Sequence, residues 1–207
     1  HRAEARDYYL RIIQNFPERR EAYDSILRYE KLASGEVGDS TYEAQKARVY
    51  FLQKKNQQAV DAYTNLLKKF PGYPNRVTIE LNRANASFMA GKYQQSKNYA
   101  RQLLQRYPKH PIAPEALILI ARCDFKLGLT SSAISTYQQV VDRYPDYGKR
   151  EEYQWRVARN QEDFGMKETA IKTYQKLIEN FPNSFYADEA RWRLGFFAYQ
   201  KKDYLQA

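Results

Sequence analysis

Apolar residues recur along the chain at the spacing of an amphipathic helix. In the segment 170–178, Ala170 is followed four positions later by Tyr174 and then by the pair Leu177-Ile178. Side chains at i, i+4, i+7 and i+8 lie on one helical face, so the segment predicts a helix of about three and a half turns with one apolar face. Closely similar columns begin at four earlier small residues: Ala5, Ala59, Ser96 and Ala133.

An aromatic residue followed by proline closes each copy of this helix. Proline cannot continue a helix and disfavours helical geometry in the residue before it, so each pair predicts a helix end. The last four pairs are spaced by 37 residues. The pairs are Phe16-Pro17, Phe70-Pro71, Tyr107-Pro108, Tyr144-Pro145 and Phe181-Pro182.

A second set of columns predicts another helix before each copy of the first. Gly91, Gly128 and Gly165 fall between the two helices, where a left-handed residue ends a helix at little cost. The small residues of the earlier helix repeat at the same interval and permit close approach of a neighbouring backbone. These small residues are Ala47, Ala84, Ala121, Ala158 and Gly195.

These helix–turn–helix columns resemble the tetratricopeptide repeat, most clearly from Pro114 onward and in the stretch from Glu189 that contains Leu194-Gly195, the Asp203-Tyr204 turn and Ala207. The common family repeat is three residues shorter, and the extra residues here follow the proline. The longer form is similar to repeats of bacterial envelope proteins: the lipoprotein of the outer-membrane β-barrel insertion machine, the periplasmic coordinator that binds the Tol system, and the superhelical part of soluble lytic transglycosylases. The resemblance implies an all-α, right-handed superhelix, that is, a TPR-like solenoid.

Two departures from the regular repeat set the expected domain organisation. The gap from Pro17 to Pro71 is 17 residues longer than one repeat, and Arg19 to Ala33 predicts an inserted helix closed by Ser34-Gly35 and a loop to Asp39. The chain also begins inside a second helix and stops at Ala207, so we expect it to be cut from a longer protein. The predicted parts are a half repeat (1–17), the inserted helix and loop (18–39), four TPR-like repeats (40–187) and the first helix of a truncated repeat (188–207).

Composition narrows the function only in part. Lys and Arg number 34 against 24 acidic residues, and the net charge of +10 favours anionic partners in general. No stretch of about 20 apolar residues predicts a membrane span, and no targeting leader begins at His1. The single cysteine, Cys123, excludes an internal disulfide, so redox chemistry does not indicate the compartment.

The residues needed for catalysis are scarce. With only His1 and His110, a histidine-rich zinc site is excluded. Cys123 falls inside an apolar helix, where a structural role is expected rather than that of a nucleophile. No glycine-rich phosphate loop is present, and acidic pairs such as Glu151-Glu152 open first helices, where they complement the helix dipole. The sequence therefore predicts no enzyme activity, no cofactor and no metal site in this chain.

The remaining candidate site is a surface. The resemblance places one face of the first helices toward a concave groove, where Arg48, Arg122 and Arg159 would form a ladder able to grip carboxylates. The alternatives are that the arginines are solvated surface residues and that aromatics such as Trp155 only pack between repeats. The candidate groove residues are Arg48, Asn82, Asn85, Arg122, Arg156, Arg159, Trp192, Arg193 and Phe196.

The predicted function is a non-enzymatic scaffold whose basic concave groove binds an acidic segment of another protein, in a cell-wall or envelope complex. The alternative is the non-catalytic arm of a periplasmic peptidoglycan lytic transglycosylase, with its catalytic domain outside this chain. Nucleic acid is disfavoured, because tyrosines such as Tyr63 and Tyr137 already belong to the packing columns. The resemblance indicates the periplasm or the outer membrane, with the cytoplasm left open.

Overall fold

The computed structural model describes residues 1–33 and 39–201. All regular structure within these ranges is α-helical, which confirms the predicted all-α class. The predicted helix stop at Ser34-Gly35 and the features predicted within 202–207 lie outside the described residues.

The described part of the chain contains eleven helices, most of them 14 residues long. One of them, α2, is the extra helix that the widened proline gap predicts. The helices are α1 (Arg2–Asn15), α2 (Arg20–Ala33), α3 (Ser40–Leu52), α4 (Asn56–Lys69), α5 (Arg76–Met89), α6 (Tyr93–Arg106), α7 (Ala113–Lys126), α8 (Thr130–Arg143), α9 (Arg150–Asp163), α10 (Lys167–Asn180) and α11 (Phe185–Gln200).

The helices form two compact units. Unit 1 is His1–Leu119 and unit 2 is Ile120–Ala207, so the division falls within α7. In unit 1, α3 packs on α4, α4 on α5 and α5 on α6, while α2 packs mainly on α1. In unit 2, α8 packs on α9, α9 on α10 and α10 on α11. Each unit therefore consists of helices packed against their neighbours in the chain.

The turn inside each helix pair is closed by the same backbone device. Gly91 has φ +76°, and the N–H of Lys92 donates to the carbonyl of Ser87 at 2.9 Å, which satisfies a carbonyl at the end of α5. Gly128 and Gly165 are also left-handed, so the conformation expected of these glycines is confirmed. The matching hydrogen bonds join Lys55 to Tyr50, Leu129 to Asp124 and Met166 to Gln161.

Lys54 occupies the same left-handed position in the turn between α3 and α4, with φ +58°. A residue with a side chain is strained in this conformation, whereas glycine is not. Glycine also increases the conformational entropy of the unfolded chain, which offsets part of the gain in stability. We expect Lys54→Gly to raise the free energy of unfolding by about 0.5–1 kcal/mol, measured by urea denaturation. The reverse change, Gly91→Lys, serves as the control and should lower it. A loss of stability in Lys54→Gly would contradict this account.

The aromatic–proline stops also share one geometry. The N–H of Phe70 completes α4 by donating to Leu66, and the Phe70 carbonyl accepts from the N–H of Tyr73 at 3.1 Å. Arg76 at the start of α5 then donates to the carbonyls of Leu67 and Pro71 at 3.2 and 3.1 Å. Carbonyls that the proline would leave unpaired are thus satisfied by the next helix. Arg150 repeats this arrangement on Val141 and Pro145.

Tyrosines fill the space between α2 and α3 in unit 1. The rings of Tyr29 and Tyr42 are stacked with centroids 4.4 Å apart, and those of Tyr23 and Tyr50 are 6.0 Å apart. Burial, reinforced by the nearby charge of Glu30, raises the pKa of Tyr50 to about 12. These four tyrosines therefore serve in packing between helices. The sequence predicts the same role for the tyrosines of the repeat columns, such as Tyr63.

Candidate partner-binding surface

The candidate residues of unit 1 lie on the first helices α3 and α5. Arg48 is exposed on α3, while Asn82 and Asn85 are half-buried on α5. The positive charge of Arg48 acts on the buried Tyr63 of α4. Burial raises the pKa of Tyr63 to about 12, and Arg48 opposes that rise.

In unit 2, Arg156 is exposed on α9 but already holds a carboxylate. Its Nε and Nη2 donate to Oε1 of Glu152, one turn earlier, at 3.0 and 2.8 Å. The guanidinium also lies 5.8 Å from the ring centroid of Tyr153. Spacing by four residues on a helix brings such a pair together, so this contact was readable from the sequence.

Arg159 and Arg193 are joined through the carboxylate of Glu162. Oε2 of Glu162 accepts from Nη1 of Arg159 at 2.7 Å and from the hydroxyl of Tyr174 at 2.8 Å, while Oε1 accepts from Nη1 of Arg193 at 3.3 Å. Arg159 also donates to Asp163 at 3.0 Å. Burial, together with the bond to Glu162, raises the pKa of Tyr174. Glu162 therefore links α9, α10 and α11.

These ion pairs change what the predicted arginine ladder offers a partner. Arg156, Arg159 and Arg193 share their charge with carboxylates of the chain itself. Arg48 and Arg122 are exposed, as Arg156 is, whereas Arg159 and Arg193 are half-buried. The arginines of this column are thus not equivalent, although they occupy related positions in the repeat.

The most exposed apolar surface among the candidates lies on α11. Trp192 and Phe196 are 60% and 39% exposed, and their rings stack with centroids 5.7 Å apart and planes at 2°. Phe185 and Tyr199, which are 70% and 61% exposed, follow the same helical face at i, i+7, i+11 and i+14. We call these four residues the aromatic face of α11. Phe185 and Tyr199 were not among the nine predicted groove residues, although their spacing from Trp192 indicates the shared face.

The corresponding position on α9 has a different environment. Trp155 precedes Trp192 by 37 residues, but it is half-buried and its ring lies 5.7 Å from that of Tyr186 on α11. Phe125 is likewise packed against Tyr137 at 5.8 Å. Ordinary packing thus accounts for Trp155 and Phe125.

A polar pair missed from the sequence recurs at the helix interfaces. Glu80 of α5 accepts from Arg106 of α6 at 2.6 Å, and Glu43 of α3 accepts from Lys69 of α4 at 3.2 Å. The partners are 26 residues apart in both cases. The sequence does carry a signal for these ion pairs. A glutamate stands at a first-helix position that becomes buried, and a basic residue follows it 26 positions later at the end of the next helix.

Two further features concern ligands and membranes. Within 1–33 and 39–201, no group of three or more His, Cys, Asp or Glu side chains is arranged to hold a metal ion. None of the helices in those ranges combines the length and the apolar character that crossing a bilayer requires. Cys123 is fully buried, in agreement with its expected structural role.

Most of the chain matches a protein-family model. The model of the YfiO family, described as outer membrane lipoprotein, matches residues 38–204. The chain belongs to the YfiO family. A sequence search among curated proteins gives no significant match.

Solved structures similar to this YfiO-family chain are helical-repeat proteins. Nearly identical TPR-like repeats of a putative kinesin light chain from Podosopora anserina superpose with a TM-score of 0.62 at 17% identity, covering 84% of this chain and 92% of that one. MamA from Desulfovibrio magneticus RS-1 gives 0.63 at 18%, covering 84% and 94%. The apo form of RapI gives 0.66 at 12%, covering 94% and 77%.

The family match and these likenesses confirm membership of the TPR superfamily and the TPR-like solenoid class. Such a repeat architecture serves as a scaffold for protein–protein interaction. Families of this kind are generally non-catalytic, and this one consists of outer membrane lipoproteins.

Proposed function

We propose that this YfiO-family chain acts in the periplasm, at the outer membrane, as a non-enzymatic scaffold for outer membrane assembly. It binds segments of partner proteins with the exposed faces of its first helices. The description of the family supports the location, and it supports this role over that of a transglycosylase arm. The nine predicted groove residues remain the proposed contact set, and the predicted division into repeats remains a proposal.

The family match over residues 38–204 carries the proposal, and the aromatic face of α11 supplies a candidate contact. Interface hot spots are enriched in Trp, Tyr and Arg, and an exposed cluster of large aromatic rings is a common mark of a protein-binding site. Trp192 and Phe196 present a stacked pair, and Arg193 beside them is held in place by Glu162. Rings fixed in one arrangement lose little conformational entropy when a partner binds.

The partner proposed for these faces is acidic. The net charge of +10 attracts negatively charged surfaces and speeds their association. Exposed arginines of the proposed contact set, such as Arg48, are suited to bind carboxylates of the partner. Arg159 is less suited to a test by charge reversal, because a glutamate there would stand beside Glu162 and Asp163.

We expect a photoreactive phenylalanine analogue in place of Tyr199 to cross-link an envelope protein in living cells. Combining this probe with Trp192→Ala and Phe196→Ala should reduce the yield by at least about tenfold, because truncated hot-spot aromatics commonly weaken binding by that much. Mass spectrometry of the cross-linked product identifies the partner.

The controls use exposed apolar residues away from the aromatic face. The same analogue in place of Phe164 should give none of the products specific to the Tyr199 probe, and Leu127→Ala with Leu129→Ala should leave their yield unchanged. Identical products from both probe positions, a cytoplasmic partner, or a yield insensitive to the Trp192 and Phe196 substitutions would each count against the proposed function.

A further inference from the structure

Three arginines surround one glutamate where α5 packs on α6 in unit 1. Arg76, Glu80 and Arg83 lie on one side of α5 at i, i+4 and i+7, and Arg106 approaches from the last turn of α6. We call Arg76, Arg83 and Arg106 the arginine cluster. It carries three positive charges against the single carboxylate of Glu80.

Glu80 is held by two of the three arginines. Its Oε1 accepts from Nε of Arg76 at 3.0 Å and from Nη1 of Arg106 at 2.6 Å. Glu80 is only 2% exposed, whereas the side chains of Arg76 and Arg106 are 28% and 46% exposed. The carboxylate is therefore buried under two guanidinium groups that still reach solvent.

Arg83 has no such carboxylate. Its guanidinium carbon lies 3.8 Å from the centroid of the Tyr99 ring, a cation–π contact, and its Nε is buried with no hydrogen-bond partner among the described residues. Burial lowers the pKa of Arg83 below its ordinary value; Tyr99 and Glu80 oppose this fall, while the charges of Arg106 and Arg76 add to it. A half-buried guanidinium with an unsatisfied donor is held at a cost in free energy.

The preceding repeat provides an internal comparison. Lys46 stands 37 residues before Arg83 and Lys69 stands 37 before Arg106. Lys69 pairs with Glu43, and Lys46 pairs with Glu30, a residue of the additional helix α2. In that repeat a carboxylate from another helix balances the cation that corresponds to Arg83. The described part of unit 1 shows no equivalent carboxylate on Arg83.

We propose that the arginine cluster is a binding site for a carboxylate side chain of a partner protein, received by Arg83 as Glu30 is received by Lys46. The planar guanidinium suits a carboxylate because two N–H groups can donate to its two oxygens, and stacking on Tyr99 keeps that fork oriented. This inference rests on the proposed function, that the chain binds other proteins, and it names the chemistry of one contact.

The test titrates the full chain with a short glutamate-rich peptide and, separately, with the same peptide carrying glutamine throughout. The glutamate peptide should shift the NMR signal of the Arg83 Nε–H group, and the glutamine peptide should not. Arg83→Met keeps the stem over Tyr99 and should weaken binding about tenfold, the usual effect of losing a charge-assisted contact. Arg101→Met, an exposed arginine on α6, removes the same charge and should change the affinity less than about twofold.

Three results would overturn the inference. The first is an equal loss of affinity in Arg83→Met and Arg101→Met, which would mean unspecific attraction to a basic surface. The second is an unshifted Arg83 signal in the wild-type chain, a measurement that does not depend on the variant folding. The third is a response of Arg83 to inorganic phosphate but not to the peptide. If the cross-links at α11 still form in any of these cases, only this inference has failed. If the cross-links at α11 are also absent, the proposed function has failed too.

Discussion

Replacing Tyr174 by alanine is expected to lower the free energy of unfolding by about 3–5 kcal/mol. Tyr174 is completely buried, and its ring belongs to the core that Ala158, Leu177 and Phe197 form in unit 2. The substitution leaves a cavity between α9, α10 and α11, and it removes the hydroxyl that donates to Glu162. Urea denaturation followed by circular dichroism measures the change, and hydrogen exchange shows whether it is confined to unit 2.

Tyr174→Phe separates the ring from the hydroxyl. It keeps the packing and removes one hydrogen bond to a carboxylate, so we expect a loss of about 1–3 kcal/mol. Lys176→Ala, at an exposed position on the same helix, should change stability by less than about 0.5 kcal/mol. If Tyr174→Ala were no less stable than Tyr174→Phe, the ring would not be part of the core.

Glu80→Gln is expected to lower the free energy of unfolding by about 3 kcal/mol. The amide has nearly the same shape but no charge, so Arg76, Arg83 and Arg106 lose the single carboxylate among them. This value is at the lower end of the range for breaking a buried ion pair, because the side chains of Arg76 and Arg106 remain partly accessible to water. The measurement is again urea denaturation.

Glu43→Gln is the matched control, since Glu43 is the corresponding residue one repeat earlier. It faces one cation, Lys69, instead of three arginines, so we expect a loss of only about 1 kcal/mol. Adding Arg83→Met to Glu80→Gln should recover part of the stability, because one uncompensated cation is removed. Equal losses at Glu80 and Glu43, with no coupling to Arg83, would show that the excess positive charge has no effect.

The helices and their turns were predictable because they depend on local rules. The 37-residue columns are carried by residues whose backbone preferences act over a few positions, such as Pro71 and Gly91. The strained Lys54 was not predicted, since a left-handed lysine leaves no compositional mark. Its place in the column that otherwise contains Gly91, Gly128 and Gly165 was the available signal.

The sequence proposes which residues line the candidate site, but it does not give all of their ion pairs. The repeat pattern indicated which face carries Arg156, Arg159 and Trp192. It did not indicate that Arg193 would meet Glu162, because the two residues are 31 positions apart and meet only when α11 packs near α9. The sequence does show the local ion pairs as i,i+4 spacings: Arg156 with Glu152 and Arg159 with Asp163. This spacing predicts that these two arginines pair within their own helix.

The sequence by itself determined that this chain is a TPR-like array of helix pairs, since helix periodicity, proline stops and small-residue columns are encoded within each repeat. Only the tertiary structure decided what surrounds each member of a column. Trp155 is covered by Tyr186 of α11, and Lys46 is balanced by Glu30, whereas the described residues place no such carboxylate on Arg83. The physical reason is that burial and charge balance depend on neighbouring helices, which a repeating local pattern does not specify.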